Sequence, residues 1–440
     1  MKRFVIEQSN TEHYTSHSGL ALVGLCVNRF SDLDQRLAAT IPLRHGTAHG
    51  DVVKSYLGQL CLGKSDFEAV HDVRHDRFFK HALGIRRVPS PERLRQRFDA
   101  QAEAMLEVID EASVAFMVNA RVPVSPLHTG HVALDLDVYP MDNSGTKKEG
   151  VSRTYHGYDG YAPIATYLGS EGWCLANELR DGKQHSQNEF VHVLERAIQR
   201  ARQLTERPLL VRLDSAHDAL ENRAYCHQAR EDFLIKWNPR QQDVTGWLAY
   251  AEAHGQWEQP RAGKRVALFS VEEDQTYQGQ PYRFSRVMRV VERTIDRHGQ
   301  HLLVPDIEIE GWWCSLALPE DEIIALYEGH ATCEQFHSEF KTDLDIERLP
   351  SGKFATNDLV LGLAGFAYNI LRWIGLLGLT GAVSPVRHPA KRRRLRTVMQ
   401  ELMYLAARLL ETGRRLKLRF SRHCPAFRAF DQVYHHLAFG

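Results

Sequence analysis

Several common functional classes leave no trace in this 440-residue chain. Its seven cysteines are odd in number, scattered, and never spaced Cys-x-x-Cys. That speaks against both a disulfide framework and a cysteine zinc site. No basic stretch followed by an apolar core opens the sequence, so no secretory leader is expected. The longest apolar run, Leu359 to Leu379, is interrupted by Asn369 and Arg372, which predicts a buried helix rather than a membrane span. None of the 23 histidines stands in a His-Glu-x-x-His helix, and Ser215 is outside any Gly-x-Ser-x-Gly elbow. His435-His436 reads as incidental. There is no repeat and no low-complexity tract. The expected compartment is a reducing cytoplasm, with no membrane partner.

What is present is an ordinary globular composition, 43% hydrophobic and 25% charged, long enough for roughly two or three domains. The net charge is zero but unevenly spread. From Arg387 to Arg422 there are twelve Lys or Arg against Glu401 and Glu411, and from Arg74 to Asp99 eight basic residues against three acidic ones. The remainder is correspondingly acidic. Basic regions set apart from an acidic one suit a polyanion-binding protein, or merely a solvated helix face.

Residues 1–125 carry helical apolar spacings. Ser90-Pro91-Glu92 predicts a helix start after the break at Gly84. Arg93, Arg95 and Arg97 give that helix a basic beginning, which suits helix-turn-helix DNA binding. From about 128 the pattern turns to strands. His131–Tyr139 alternates strictly, with Asp135, Asp137 and Tyr139 on one face. Two strands joined by Gly169–Gly172, a helix opened by Ser186–Glu189 as a capping box, a strand ending at Asp214, a helix and a strand to Trp237 follow. Three strands, helix, strand, helix, strand is the order of a ribonuclease H-like domain. The expected architecture is α/β. Residues 126–237 and 319–350 form a ribonuclease H-like catalytic domain, 238–318 a β-rich insertion before its last helix, and 351–440 a helical basic region.

Leu318–Lys341 predicts that last helix, with Tyr327, His330, Glu334 and Lys341 within about 60° of one another. Asp137 and Asp214 end two strands, where open α/β sheets place their sites. Three converging carboxylates need compensating cations, and Mg²⁺ takes oxygen ligands while keeping positions open for phosphate. Two such ions would serve phosphodiester chemistry. Periodicity alone leaves Asp135 as an alternative to Asp137. Trp312-Trp313 could stack a flipped base or simply pack in a core or interface.

The spacing Tyr327-x2-His330-x3-Glu334-x6-Lys341 resembles the Tyr-x2-Arg-x3-Glu-x6-Lys signature of DDE transposases of bacterial insertion sequences, with histidine in place of arginine. LDLDVYPMDNSG and VRLDSAHD resemble that family's two aspartate blocks, and DVRHDRFFKHALG its N-terminal region. The resemblance implies Asp137, Asp214 and Glu334 as catalytic and metal-binding residues for two Mg²⁺, with Mn²⁺ able to substitute. It implies Tyr327, His330 and Lys341 as DNA contacts and double-stranded DNA as partner. It further implies a homodimer in the transposition complex and ends freed through a DNA hairpin. Residues 1–125 and the run Arg392, Arg393 and Arg394 are expected to hold DNA phosphates. The rival readings are a nuclease of the same fold without strand transfer, and an inactive DNA-binding derivative.

Overall fold

The computed structural model describes residues 3–43, 45–413 and 415–440. Its centre is one mixed nine-stranded sheet. Five strands come first in the chain: β1 (Val132–Val138), β2 (Ile164–Leu168), β3 (Trp173–Glu178), β4 (Leu209–Leu213) and β5 (Asp232–Lys236). Four longer or more exposed ones follow: β6 (Gln256–Arg261), β7 (Lys264–Tyr277), β8 (Gln280–Ile295) and β9 (His301–Cys314). Their order across the sheet is β6-β7-β8-β9-β5-β4-β1-β2-β3. β1, β4 and β5 run parallel, while every other neighbouring pair is antiparallel. Parallel strands are covered on both faces, so all of β4 and the first five residues of β1 are buried. The alternation expected for β1 therefore buries Asp135 instead of exposing it.

The segment 238–318 extends this sheet rather than standing apart from it. Only the last three residues of β9, Trp312–Cys314, pair with Lys236, Ile235 and Leu234 of β5. On its other edge β9 pairs with β8, through these residues as well as the rest.

The helices form a layer that the two ends of the chain share. From the N-terminal side come α1 (Leu20–Phe30), α2 (Leu33–Thr40), α3 (His49–Leu60), α4 (Arg77–Leu83) and α5 (Pro91–Asn119). Ser90 caps α5 through the Arg93 amide at 3.3 Å, with Pro91 in the first turn, as the sequence predicts. Next are α6 (Phe190–Ala201) and α7 (Leu220–Ala229), which pack on the sheet and on each other, and α8 (Val244–His254). The expected capping box does not form: α6 begins at Phe190, and Ser186 Oγ donates instead to the Ala216 carbonyl at 3.2 Å.

After the sheet come α9 (Glu320–Glu328), α10 (Thr332–Ser338), α11 (Phe354–Leu379), α12 (Leu395–Val398) and α13 (Phe427–Phe439). α11 packs on β3 and on α5, and also touches α3, α1, α12 and α13. It is long and apolar enough to cross a membrane, yet nearly all of it is buried inside the protein, as a core helix. Residues 351–440 are not wholly helical. Ala407–Thr412 and Arg415–Phe420 pair antiparallel, and His13–Thr15 joins Ala407–Leu409 on the other edge.

The expected single helix over Leu318–Lys341 is broken. A 3₁₀ turn, Gly329–Ala331, separates α9 from α10, and a π-turn, Glu339–Asp343, follows α10. The cause is Arg212 of β4, whose Nη1 donates to the Leu326 carbonyl at 2.7 Å. That carbonyl would otherwise accept from the His330 amide. A Cβ on Gly329 would lie 2.7 Å from the same Nη1, so glycine makes room for the guanidinium.

Candidate active site

β1, β4 and the α9–α10 segment bring the three expected carboxylates to one cavity of about 820 Å³. Asp137 lies near the end of β1, Asp214 directly follows β4, and Glu334 sits in the first turn of α10. Tyr327, His330, His337 and Lys341 line the same space. So do Lys236 of β5 and Arg289, Glu310 and Trp312 from the inserted strands.

The two aspartates of β1 have different fates. Asp135 is 3% exposed, and its direct neighbour across the parallel register is Arg212. Arg212 Nε and Nη2 donate to its two carboxylate oxygens at 2.6 and 2.7 Å. Burial alone would raise the Asp135 pKa, but the guanidinium and a hydrogen bond with His330 hold it below the usual carboxylate value. Asp137 has no such partner. Burial and the nearby Asp214 charge, opposed by His330, push it up to about 7. Asp214 is itself half-buried. Against that burial, His217 Nδ1 at 2.7 Å and the Ala216 amide at 3.1 Å keep it below its ordinary value. Glu334 is exposed, with no ion pair or hydrogen bond among the described residues.

The expected contacts of the helix are more internal than its spacing suggests. His330 is 6% exposed, and its Nδ1 lies 3.1 Å from Asp135 Oδ1. Burial would lower its pKa; the carboxylate raises it instead. In place of an imidazole free to grip phosphate, the structure has one pinned inward, because Asp135 lies beneath it. Asp135, His330 and Cys333 have donor atoms within 4.8 Å of one another. Arg212 already occupies that carboxylate, so the trio is not an open cation site. Lys341 Nζ donates to the Pro140 carbonyl and lies 4.0 Å from Glu347. Tyr327 packs near Trp312 and His330, at 6.2 and 5.8 Å between ring centres.

Trp312 and Trp313 are buried, and each ring is covered by a cation. Lys236 Nζ is 4.1 Å from the Trp312 ring centre, and Arg223 is 4.1 Å from that of Trp313. Of their two expected roles, the structure draws the packed one.

The six expected DNA-binding arginines form two clusters in sequence, 93–97 and 392–394, and differ in freedom. Arg93 is exposed; Arg95 is paired with Glu68 at 3.3 Å. Arg97 is spent on the Thr47 carbonyl and on His49 Nδ1 at 3.0 Å. A recognition helix would lie free in a groove, whereas α5 is a 29-residue spine packed on α11. Arg393 donates to the carbonyls of Leu379, Val386 and His388, and Arg394 grips Asp343. Arg392 reaches Gln335 at 2.5 Å and covers the Phe336 ring. The basic run is therefore not a free phosphate-binding strip: Arg392 and Arg394 hydrogen-bond to α10 and the π-turn, and Arg393 to the end of α11 and the loop after it.

Sequence reasoning missed His337, Lys236, Arg289 and Arg212. Only His337 carried a local signal, standing three residues after Glu334 and thus on the same helix side.

The family model for the transposase DDE domain group 1 matches residues 2–439. The chain belongs to that family. As a DDE transposase it is an enzyme of the transposase kind. No curated protein matches its sequence. Among the solved structures, it is similar to a piggyBac transposase in a synaptic complex with hairpin DNA, determined by cryo-EM. That similarity is 9% identity over 90% of this chain and 83% of the other, with a TM-score of 0.42.

Proposed function

We propose that this DDE transposase belongs to a bacterial insertion sequence, in the subgroup with the Tyr-Arg-Glu-Lys signature. In this reading it binds the element's terminal inverted repeats, cleaves the ends and joins the exposed 3′-hydroxyls to target DNA. Two copies would act together on duplex DNA in the cytoplasm, at the nucleoid. The observation that carries the reading is the convergence of Asp137, Asp214 and Glu334 on one cavity. The strand order β3-β2-β1-β4-β5, two antiparallel pairs followed by two parallel ones, supports a ribonuclease H-like core with β6–β9 as its insertion.

The residues fit a divalent cation. Burial, joined by the neighbouring Asp214 charge, raises the pKa of Asp137, a cost that a cation would offset, and oxygen donors suit Mg²⁺ or Mn²⁺. Held by Asp137, Asp214 and Glu334, two such ions would activate the attacking oxygen and neutralise the leaving one. The protein's own groups do the rest. Lys236 and Arg289 share Glu310, which leaves one net positive charge on the insertion side of the cavity, and Lys341 adds another on the helix side. Buried Trp312 and partly buried Tyr327 line the cavity, where they would exclude water.

The test is cleavage of a labelled duplex carrying the inverted repeats that flank the gene, with Mg²⁺ and a plasmid target. Wild type should yield cleaved ends and joined products; Asp214→Ala should yield neither while still shifting the duplex in a gel. Cleavage without joining would turn the reading to a nuclease of the same fold. Normal cleavage by Asp214→Ala would overturn the site.

A further inference from the structure

A buried histidine on α10, unused by the reading above, faces the carboxylates. His337 is 6% exposed, lines the cavity and stacks on Tyr139 with ring centres 4.6 Å apart and planes 13° apart. Tyr139 is itself fixed, its hydroxyl donating to Asn177 Oδ1 at 2.7 Å. His337 Nδ1 lies 3.8 Å from Asp137 Oδ2. That is too long for a hydrogen bond. Two donors that each sit about 2.1 Å from one small cation are at most about 4.2 Å apart, so the gap suits a shared ion. Neither ring nitrogen has a hydrogen-bond partner among the described residues, and Nε2 is fully buried. Nδ1 is the nitrogen that faces the Asp137 carboxylate, and it lacks a partner there. A neutral imidazole with no hydrogen-bond partner keeps a lone pair for a metal.

His330 is placed differently: its Nδ1 is engaged with Asp135, whereas His337 is the imidazole within 4 Å of Asp137. On α10, Glu334 and His337 are three residues apart, a spacing at which a carboxylate and an imidazole on one helix can serve one metal site.

We infer that His337 is a nitrogen ligand of the carboxylate site, so that the site selects a transition-metal divalent cation of the Mn²⁺ class over Mg²⁺. Imidazole binds such ions better than it binds Mg²⁺, which keeps to oxygen. The inference rests on the proposal that Asp137 and its partners hold a cation.

The experiment uses the full chain with Mn²⁺ or Mg²⁺ alone, by calorimetry and by pulsed electron paramagnetic resonance of bound Mn²⁺. Wild type should bind Mn²⁺ at least about tenfold more tightly than Mg²⁺ and show ¹⁴N modulation. Growth with ¹⁵N-histidine should replace that modulation by a ¹⁵N pattern, a test that alters no residue. His337→Gln should remove it and weaken Mn²⁺ about tenfold with little change for Mg²⁺, whereas His330→Gln should retain it. Bound Mn²⁺ without nitrogen modulation, or modulation that survives in folded His337→Gln, would overturn the inference. If Asp137→Asn abolishes Mn²⁺ binding in that same case, the carboxylate site stands without His337. Mn²⁺ binding unaffected by Asp137→Asn, or absent from wild type, would overturn both.

Discussion

Two groups of charges lie within one turn or strand of each other and are built on opposite terms. Beneath the site, Asp135 is closed by Arg212, and Glu339 of the π-turn is closed by Arg372 of α11, with Tyr368 adding its hydroxyl. All four charged side chains in these pairs are nearly or wholly buried. In the cavity above, Asp137, Asp214 and Glu334 have no basic residue bonded to them among the described residues beyond His217 on Asp214. Removing one partner of a buried pair leaves a lone charge in the interior. Removing a cavity carboxylate relieves repulsion instead. The difference teaches which acidic residues hold the fold and which remain available for chemistry, although Asp135 and Asp137 are only two residues apart.

The largest effect should come from the open group. Ala at Asp137, Asp214 or Glu334 should cut DNA cleavage by at least about four orders of magnitude, about 5 kcal/mol of barrier. Thermal melting should be unchanged or slightly raised. A variant that loses activity only because it melts early would break the comparison.

Next comes the closed group. Asp135→Ala or Arg372→Met should destabilise the fold by about 3–5 kcal/mol in chemical denaturation, through the charge left behind. The paired change Asp135→Leu with Arg212→Met should recover much of that loss. If Asp135→Ala is stable but inactive, the roles assigned to the two aspartates are reversed.

A third kind of carboxylate sharpens the contrast by having neither cation nor cavity. Asp358 of α11 accepts from the Leu179 amide at 2.9 Å. Burial, with Asp110 and Glu178 nearby, pushes its pKa up to about 7. A raised folded pKa means its stabilising contribution is full below about pH 4 and is lost as pH climbs through about 7. Relative to Asp358→Asn, wild type should therefore lose about 4 kcal/mol between about pH 4 and pH 8. Parallel stability curves for the two proteins would refute the assignment.

The smallest effect concerns the basic run. Each duplex phosphate contact contributes about 0.9 to the salt slope of DNA binding. Arg393→Ala and Arg394→Ala should leave that slope unchanged within about 0.3, since both guanidiniums are engaged within the protein. A slope flattened by a full contact each would show that DNA pulls them free.

Features set by neighbours in sequence were legible; those set by distant neighbours were not. The strand that carries Asp137, the apolar strand running into Asp214, and the start of α5 at Ser90-Pro91 are all local, and the structure has each of them, though β1 is buried on both faces rather than alternating. The break at Gly329 was illegible because Arg212, over a hundred residues away, takes the Leu326 carbonyl. The burial of Asp135 and His330 likewise depends on which strand lies beside β1. Other misses had a signal that went unused. Val244, Trp247, Leu248 and Ala251 have helical spacing behind Asp243, whose side chain caps α8 through the Thr245 amide at 3.0 Å. Leu416, Leu418 and Phe420 alternate with basic residues, a strand pattern obscured by the density of positive charge. The match of the cavity to its chemistry was visible only as three acids in separate motifs; that they meet is a property of the sheet.

The union of the two chain ends in one helical layer has a consequence in time. α5 buries Phe98, Met105, Ile109 and Phe116, and much of its packing is on α11. The entire sheet and its insertion are encoded between those helices. At about 5–20 residues per second, a ribosome needs on the order of ten seconds or more to supply the missing half. Throughout that interval the nascent α5 has no α11 to cover it, and His13–Thr15 has no strand to join. This protein is thus most vulnerable to aggregation and to proteases while still being made, and its yield should depend on elongation speed and chaperones more than its finished stability would suggest.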